Sequence, residues 1–240
     1  MRKSYFLLML IIIVGVAALL APRLNFSLNW GLTATLLVIL AIIAFFFEFE
    51  AAAISSKEIA LVAMLGTISA VARVPFAAIP NLQPCTYLII CAGYVFGPVA
   101  GFMVGAITAL VSNFFLGQGP WTPYQMFAWG LAGVSAAYIR QLKLGRAGLV
   151  IFGALWGYLY GWIVNTWFWL SFIYPLTLKT FFLYQLNSLW FDTLHALGNA
   201  VFLGLFGVKT IAILERFRQR FNWGLLDTPH PPQWETRQQS

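Results

Sequence analysis

The sequence predicts an all-α polytopic membrane protein, with a six-helix core preceded by two further transmembrane helices. Three observations carry that prediction. Hydrophobic residues make up 61% of the 240 and charged residues only 9%, against roughly 25% charged in an ordinary soluble domain. Apolar runs long enough to cross a bilayer recur along the chain, and basic residues gather on alternate connections. So little polar surface cannot cover a water-facing shell, which excludes a soluble enzyme and a disordered chain. Two cysteines, Cys85 and Cys91, are too few for a disulfide framework.

The elements follow in order. A first span runs from Tyr5 to Ala21 and stops at Pro22 and Arg23. Its basic start and small-residue end also fit a secretory signal, so a retained anchor and a cleaved leader both stand. A second span, Leu28 to Phe47, ends on the acidic Glu48 and Glu50. The third begins near Lys57 and Glu58 and reaches Val74. From Arg73 to Pro84 the chain is irregular, because Pro75, Pro80 and Pro84 forbid a continuous helix. Cys85–Phe96 is a short fourth run that needs protein neighbours to complete its crossing. Gly97-Pro98 breaks it, and proline suits the first turn of a fifth span ending at Leu116. After a loop over Gly117–Pro123, a sixth span covers Tyr124 to Ile139, a seventh Leu149 to Tyr174 and an eighth Leu186 to Val208. The chain divides into an N-terminal pair of helices (1–55), a core (56–210) and a basic, proline-rich cytoplasmic tail (211–240).

Charge sets the orientation. With the N-terminus inside, the cytoplasmic segments hold Arg2, Lys3, Lys57, Arg140, Lys143, Arg146, Lys209, Arg216, Arg218, Arg220 and Arg237, leaving only Arg23, Arg73 and Lys179 outside. This is the positive-inside bias. The net charge of +7 is thus an orientation signal and not a nucleic-acid footprint.

Three outer loops result: Arg73–Pro84, Gly117–Pro123 and Tyr174–Gln185. Around them cluster Arg73, Asn81, Gln83, Tyr87, Asn113, Gln118, Trp121, Thr122, Tyr124, Gln125, Trp129, Asn165, Trp167, Trp169 and Tyr184. Aromatic walls with a few placed polar groups are what binding clefts are made of. The same aromatics also suit an interfacial belt, so the gathered amides carry the functional reading. Arg73 suits either a substrate carboxylate or phosphate or snorkelling to headgroups. Asp192 and His195 share a helix face at i, i+3, and an ionisable group at such depth demands a partner or a cavity. Ligand contact, proton relay and an internal network with Asn187 and Asn199 all fit.

Small residues recur at helical spacing: Ala60, Ala63, Thr67 and Ala70 beside Gly66, then Gly97, Gly101 and Gly105, then Gly153, Gly157 and Gly161. Such stripes let helices approach closely. The chain has no Gly-x-x-x-x-Gly-Lys-Ser/Thr, no His-Glu-x-x-His and no Gly-x-Ser-x-Gly, so nothing in it suggests nucleotide hydrolysis, a metal or a cofactor.

The run Ala72-Arg73-Val74-Pro75-Phe76 with Pro80-Asn81-Leu82-Gln83-Pro84, then Gly93–Phe102, then Ser112–Pro123, and finally Phe191–Asn199 resembles the S components of energy-coupling factor (ECF) vitamin transporters. The chain looks most like the cobalamin-type members. The resemblance spans Lys57 to Val208 and implies a bacterial inner-membrane subunit, not an enzyme, that captures a micronutrient at its outer face. It implies partners as well: a T component driven by two cytoplasmic ATPases. It further implies a pocket built from the outer loops, here Arg73, Asn81, Gln83, Tyr87, Asn113, Gln118, Trp121, Tyr124, Gln125, Asp192 and His195. Family members dock through an Ala-x-x-x-Ala pattern on the first core span. Here Ala63 pairs with Thr67 and Gly66 with Ala70, so small size is kept without the motif. Two alternatives accompany this reading: a different substrate such as a queuosine precursor, or an intramembrane enzyme using Asp192 and His195.

Overall fold

A computed structural model describes residues 3–21, 27–52 and 55–220. Arg2, Pro22, Arg23, Arg237 and the rest of the tail beyond Arg220 lie outside the described residues. Among those described, every regular element is helical: α1 Lys3–Leu20, α2 Trp30–Ala51, α3 Ser56–Arg73, α4 Cys85–Phe96, α5 Pro98–Leu116, α6 Thr122–Ile139, α7 Arg146–Phe172, α8 Leu178–Phe202 and α9 Val208–Arg220. Five helical stretches are long and apolar enough to cross a membrane.

Local chemistry starts and stops these helices. Ser55 and Glu58 form a capping box that opens α3. The turn between α4 and α5 places Gly97 at φ 94°, a conformation glycine adopts without strain, and Pro98 then begins α5. After α3 the chain tightens into a 3₁₀ turn over Val74–Ala78, so the irregular stretch begins with order. Asn81 turns the loop back with φ 55°.

Two boundaries differ from the sequence-based expectation. The loop expected over Tyr174–Gln185 is helical from Leu178, because Thr177 and Thr180 cap each other reciprocally. A threonine replaces the usual Glu or Gln of that box, which hid the signal. At its far end α8 passes through a π turn, Leu203–Gly207, into α9. Together they make 43 residues of helix, about 64 Å long. Helix therefore extends into the segment assigned to the tail, and Ile211 and Leu214 are buried there.

The core is organised around α4. Its 12 residues span only about 18 Å, short of a bilayer's roughly 30 Å. Yet Ile89, Ile90, Cys91 and Ala92 are wholly buried, because α3, α5, α6 and α9 surround it. Gly93, Gly101 and Gly133 meet backbone to backbone, leaving no room for a β-carbon at any of them. The α7 ladder does the same against α8, with Gly153 facing Leu203, Gly157 facing Ala196 and Gly161 facing Asp192. Both ladders are thus internal packing faces.

The α1–α2 hairpin adds a separate layer. Its helices are tied at one end by Ser4 donating to Glu48 and by an exposed Lys3–Glu50 pair at 3.8 Å. Helix α2 then lies on α5, α6 and α7. Phe45 stacks on Phe102 at 3.9 Å, and Thr35 meets the Tyr124 hydroxyl at 3.2 Å.

Candidate functional site

At the end of the bundle where α3 stops and α6 starts, a cavity of about 260 Å³ is lined by Arg73, Asn81, Gln83, Gln125, Tyr160, Gly161, Val164, Asn165, Ser188, Phe191, Asp192 and His195. It gathers residues from α3, the following loop, α6, α7 and α8. Six of the expected pocket residues converge on it: Arg73, Asn81, Gln83, Gln125, Asp192 and His195.

Arg73 organises one wall. Only 8% exposed, it donates through Nε to Gln83 Oε1 at 2.8 Å and through Nη1 to Ser112 Oγ at 2.7 Å and Asn113 Oδ1 at 2.8 Å. The Trp129 ring lies 4.9 Å beneath the guanidinium, an attractive cation–π arrangement. No carboxylate pairs with Arg73 among the described residues. Snorkelling is therefore not how this arginine is satisfied. Amides hold it facing inward.

Because a guanidinium only donates, it fixes the amides around it. Asn113 must turn its oxygen to Arg73, so its nitrogen donates to Thr122 Oγ1 at 3.0 Å and Gln125 Oε1 at 2.7 Å. Gln83 likewise presents its oxygen to Arg73.

The opposite wall comes from α7 and α8. Ser188 donates to Asp192 Oδ2 at 2.8 Å, and Asn165 donates to Ser188 Oγ at 2.7 Å and Gln185 Oε1 at 3.0 Å. Gly161 makes room for the Asp192 carboxylate. A larger residue there would occupy its position.

His195 forms the floor. Its Nε2 lies 2.8 Å from Thr86 Oγ1, which also accepts from Trp129 Nε1 at 3.0 Å. Thr86 thereby joins Trp129 to one ring nitrogen of His195, leaving Nδ1 as the other. That nitrogen has no partner. Tyr160 stands edge-on to His195 at 4.8 Å and stacks on Trp129 at 4.6 Å. Asp192 and His195 share a face yet bond different partners, so they form no acid–base dyad. Asn199 donates to Gly153 O at 3.0 Å, whereas Asn187 is exposed and joins no network with them.

Other expected residues lie elsewhere. Asn113 sits one layer behind Arg73. Tyr87 stacks on Phe202 at 5.6 Å on the α8 side of α4. Gln118 closes its own loop, donating to Leu110 O at 2.9 Å and accepting from Thr122. Trp121 packs edge-on against Trp167 at 5.7 Å, Tyr124 faces α2, and Trp169 donates to Thr180 at 3.1 Å. Tyr184 stacks on Phe168 at 5.3 Å. Among lining residues not anticipated, Ser188 was readable as the i−4 neighbour of Asp192. Tyr160 and Phe191 carried no distinguishing signal among so many aromatics.

The small-residue stripe of α3 divides into two. Ala63 and Thr67 are exposed, together with Ala60. Gly66 instead packs against Ile107 of α5, and Ala70 is 1% exposed. Of the four residues expected to dock, Ala63 and Thr67 are thus the exposed ones. Gly66 and Ala70 face the other way round the helix and serve the fold.

A family model described as the ECF transporter, substrate-specific component, matches residues 57–215. No curated protein and no solved structure matches the chain.

Proposed function

Since this chain belongs to the ECF transporter substrate-specific component family, we propose that it captures a vitamin-like micronutrient in the cavity between α3, α6, α7 and α8. The observation that supports this most is the convergence of Arg73, Gln83, Gln125 and Asp192, from four separate segments, on one polar cavity inside an apolar bundle. Buried polar groups in such surroundings are costly unless something satisfies them, and a ligand does so.

The charge bias of the connections supports an outer-face position for this cavity and a cytoplasmic one for α9. Binding then closes under the 74–84 loop, where Asn81 Nδ2 donates to Phe191 O at 3.2 Å. The T component and its two ATPases engage the exposed Ala60, Ala63 and Thr67 face of α3.

Substrate size is the finer question. Cobalamin is the first expectation from resemblance, but about 260 Å³ lies below the roughly 300–1,000 Å³ of pockets that hold drug-sized ligands. That volume favours a compact micronutrient, a queuosine-precursor-sized molecule among them. A corrinoid would require the Asn81 latch and its loop to swing away.

Co-purification and uptake test the reading. The tagged chain should bring down a T component and two ATPases from its native membrane, and uptake should stop when that module is absent. Solo uptake, or purification without those partners, would contradict it.

A further inference from the structure

We infer that the captured molecule is dipolar: one edge carries an anionic or carbonyl acceptor, and the opposite edge carries N–H donors. This rests on the cavity being the capture site, and it comes from the orientation of the amides around it. On one wall the donor-only guanidinium of Arg73 turns the oxygens of Gln83 and Asn113 toward itself, and Asn113 turns the oxygen of Gln125 away from the cavity in the same manner. The nitrogens left over are Arg73 Nη2 and Gln83 Nε2, neither with a partner among the described residues, while the Gln125 amide donates to the Tyr160 hydroxyl. That wall only donates.

The facing wall is the reverse. Both N–H groups of Asn165 are engaged by Gln185 and Ser188, so its Oδ1 remains an acceptor. Asp192 takes one bond from Ser188 and keeps Oδ1 and further lone pairs unsatisfied. Arg73 and Asp192 line the same cavity without forming an ion pair. Opposite charges held apart on facing walls are compensated by a ligand that brings the complement of each. A pure cation would meet Arg73 unpaired, and a pure anion would meet Asp192 unpaired. Tyr160, Val164 and Phe191 supply the apolar remainder of the lining.

The test is titration of the purified full-length chain, followed by thermal shift, with three dipolar probes: 4-aminobutanoate, 4-(aminomethyl)benzoate and isocytosine. Each is run beside analogues lacking one edge: butanoate and butylamine, 4-methylbenzoate and 4-methylbenzylamine, and 2-aminopyrimidine and pyrimidin-4-one. At least one dipolar probe should bind about tenfold or more tighter than its one-ended analogues, the size of a lost charged hydrogen bond. Asp192→Asn should erase that advantage over the acid analogue, while Trp121→Ala, away from the cavity, should preserve it. Equal binding of a one-ended analogue overturns the dipolar assignment. So does saturable binding of cobalamin with none of the three probes, or no shift with any compound. Co-purification with a T component in those cases would leave the capture reading standing, which separates the two failures.

Discussion

Gly161 on α7 lies directly against the Asp192 carboxylate on α8, so close that a β-carbon at 161 would overlap it. A small residue on one helix thereby creates the space in which the other helix presents its one acidic side chain to the cavity.

Gly161→Ala should push that carboxylate off its bond to Ser188 and weaken substrate binding about tenfold, with a loss of ~1–3 kcal/mol in stability. Paired binding and thermal-denaturation measurements check this. Gly157→Ala, which meets the Ala196 backbone instead of a movable side chain, should destabilise more.

The junction of α4, α5 and α6 should be intolerant of added volume. Gly133→Ala drives a methyl into the backbone of Gly101 and should cost about 1–3 kcal/mol or more. Gly145→Ala, with open space around it, should leave the denaturation temperature in detergent nearly unchanged.

Asn113→Ala removes an acceptor from Arg73 and a donor from both Thr122 and Gln125, leaving three groups short of a partner. A loss of ~1–3 kcal/mol is expected, together with weakened substrate binding although Asn113 is not in the lining. Tyr124→Phe removes only the contact with Thr35 and should cost about 0.5–1.5 kcal/mol with binding retained. Titration and melting of both variants distinguish the two.

Substitutions on α3 should separate assembly from folding. Thr67→Trp and Ala63→Trp add bulk to an exposed face, so they should abolish co-purification of the T component while the melting temperature holds. Gly66→Trp strikes Ile107 and should lower the melting temperature directly.

How much was legible in the sequence depended on whether a residue's meaning was local. The helices at Pro98–Leu116 and Cys85–Phe96 were readable because Gly97-Pro98 punctuates them and their composition is uninterrupted. The glycine ladders declared close approach, but not which helix they approach. Arg73 and Asp192 stood out because charges are rare in this chain. Their placement around one cavity was not legible, since it depends on α3 and α8 being brought to the same cavity across more than a hundred residues. The same blindness merged Gly66 and Ala70 with Ala63 and Thr67, because a stripe of small residues wraps far enough round a helix to serve two neighbours. Tyr87 and Trp121 looked like pocket aromatics by position along the chain, but the rotation of α4 turns Tyr87 onto Phe202 and the turn before α6 sets Trp121 against Trp167.

The central claim, capture of a small molecule between Arg73 and Asp192, is tested most directly by a thermal-shift titration of the purified chain against a micronutrient panel. It should be run alongside the Gln83→Ala/Gln125→Ala double variant. One compound should stabilise the parent protein saturably, by about 2.7 kcal/mol at 100 times its Kd, and should lose most of that effect in the variant. A ligand whose stabilisation is the same in both proteins would contradict the claim.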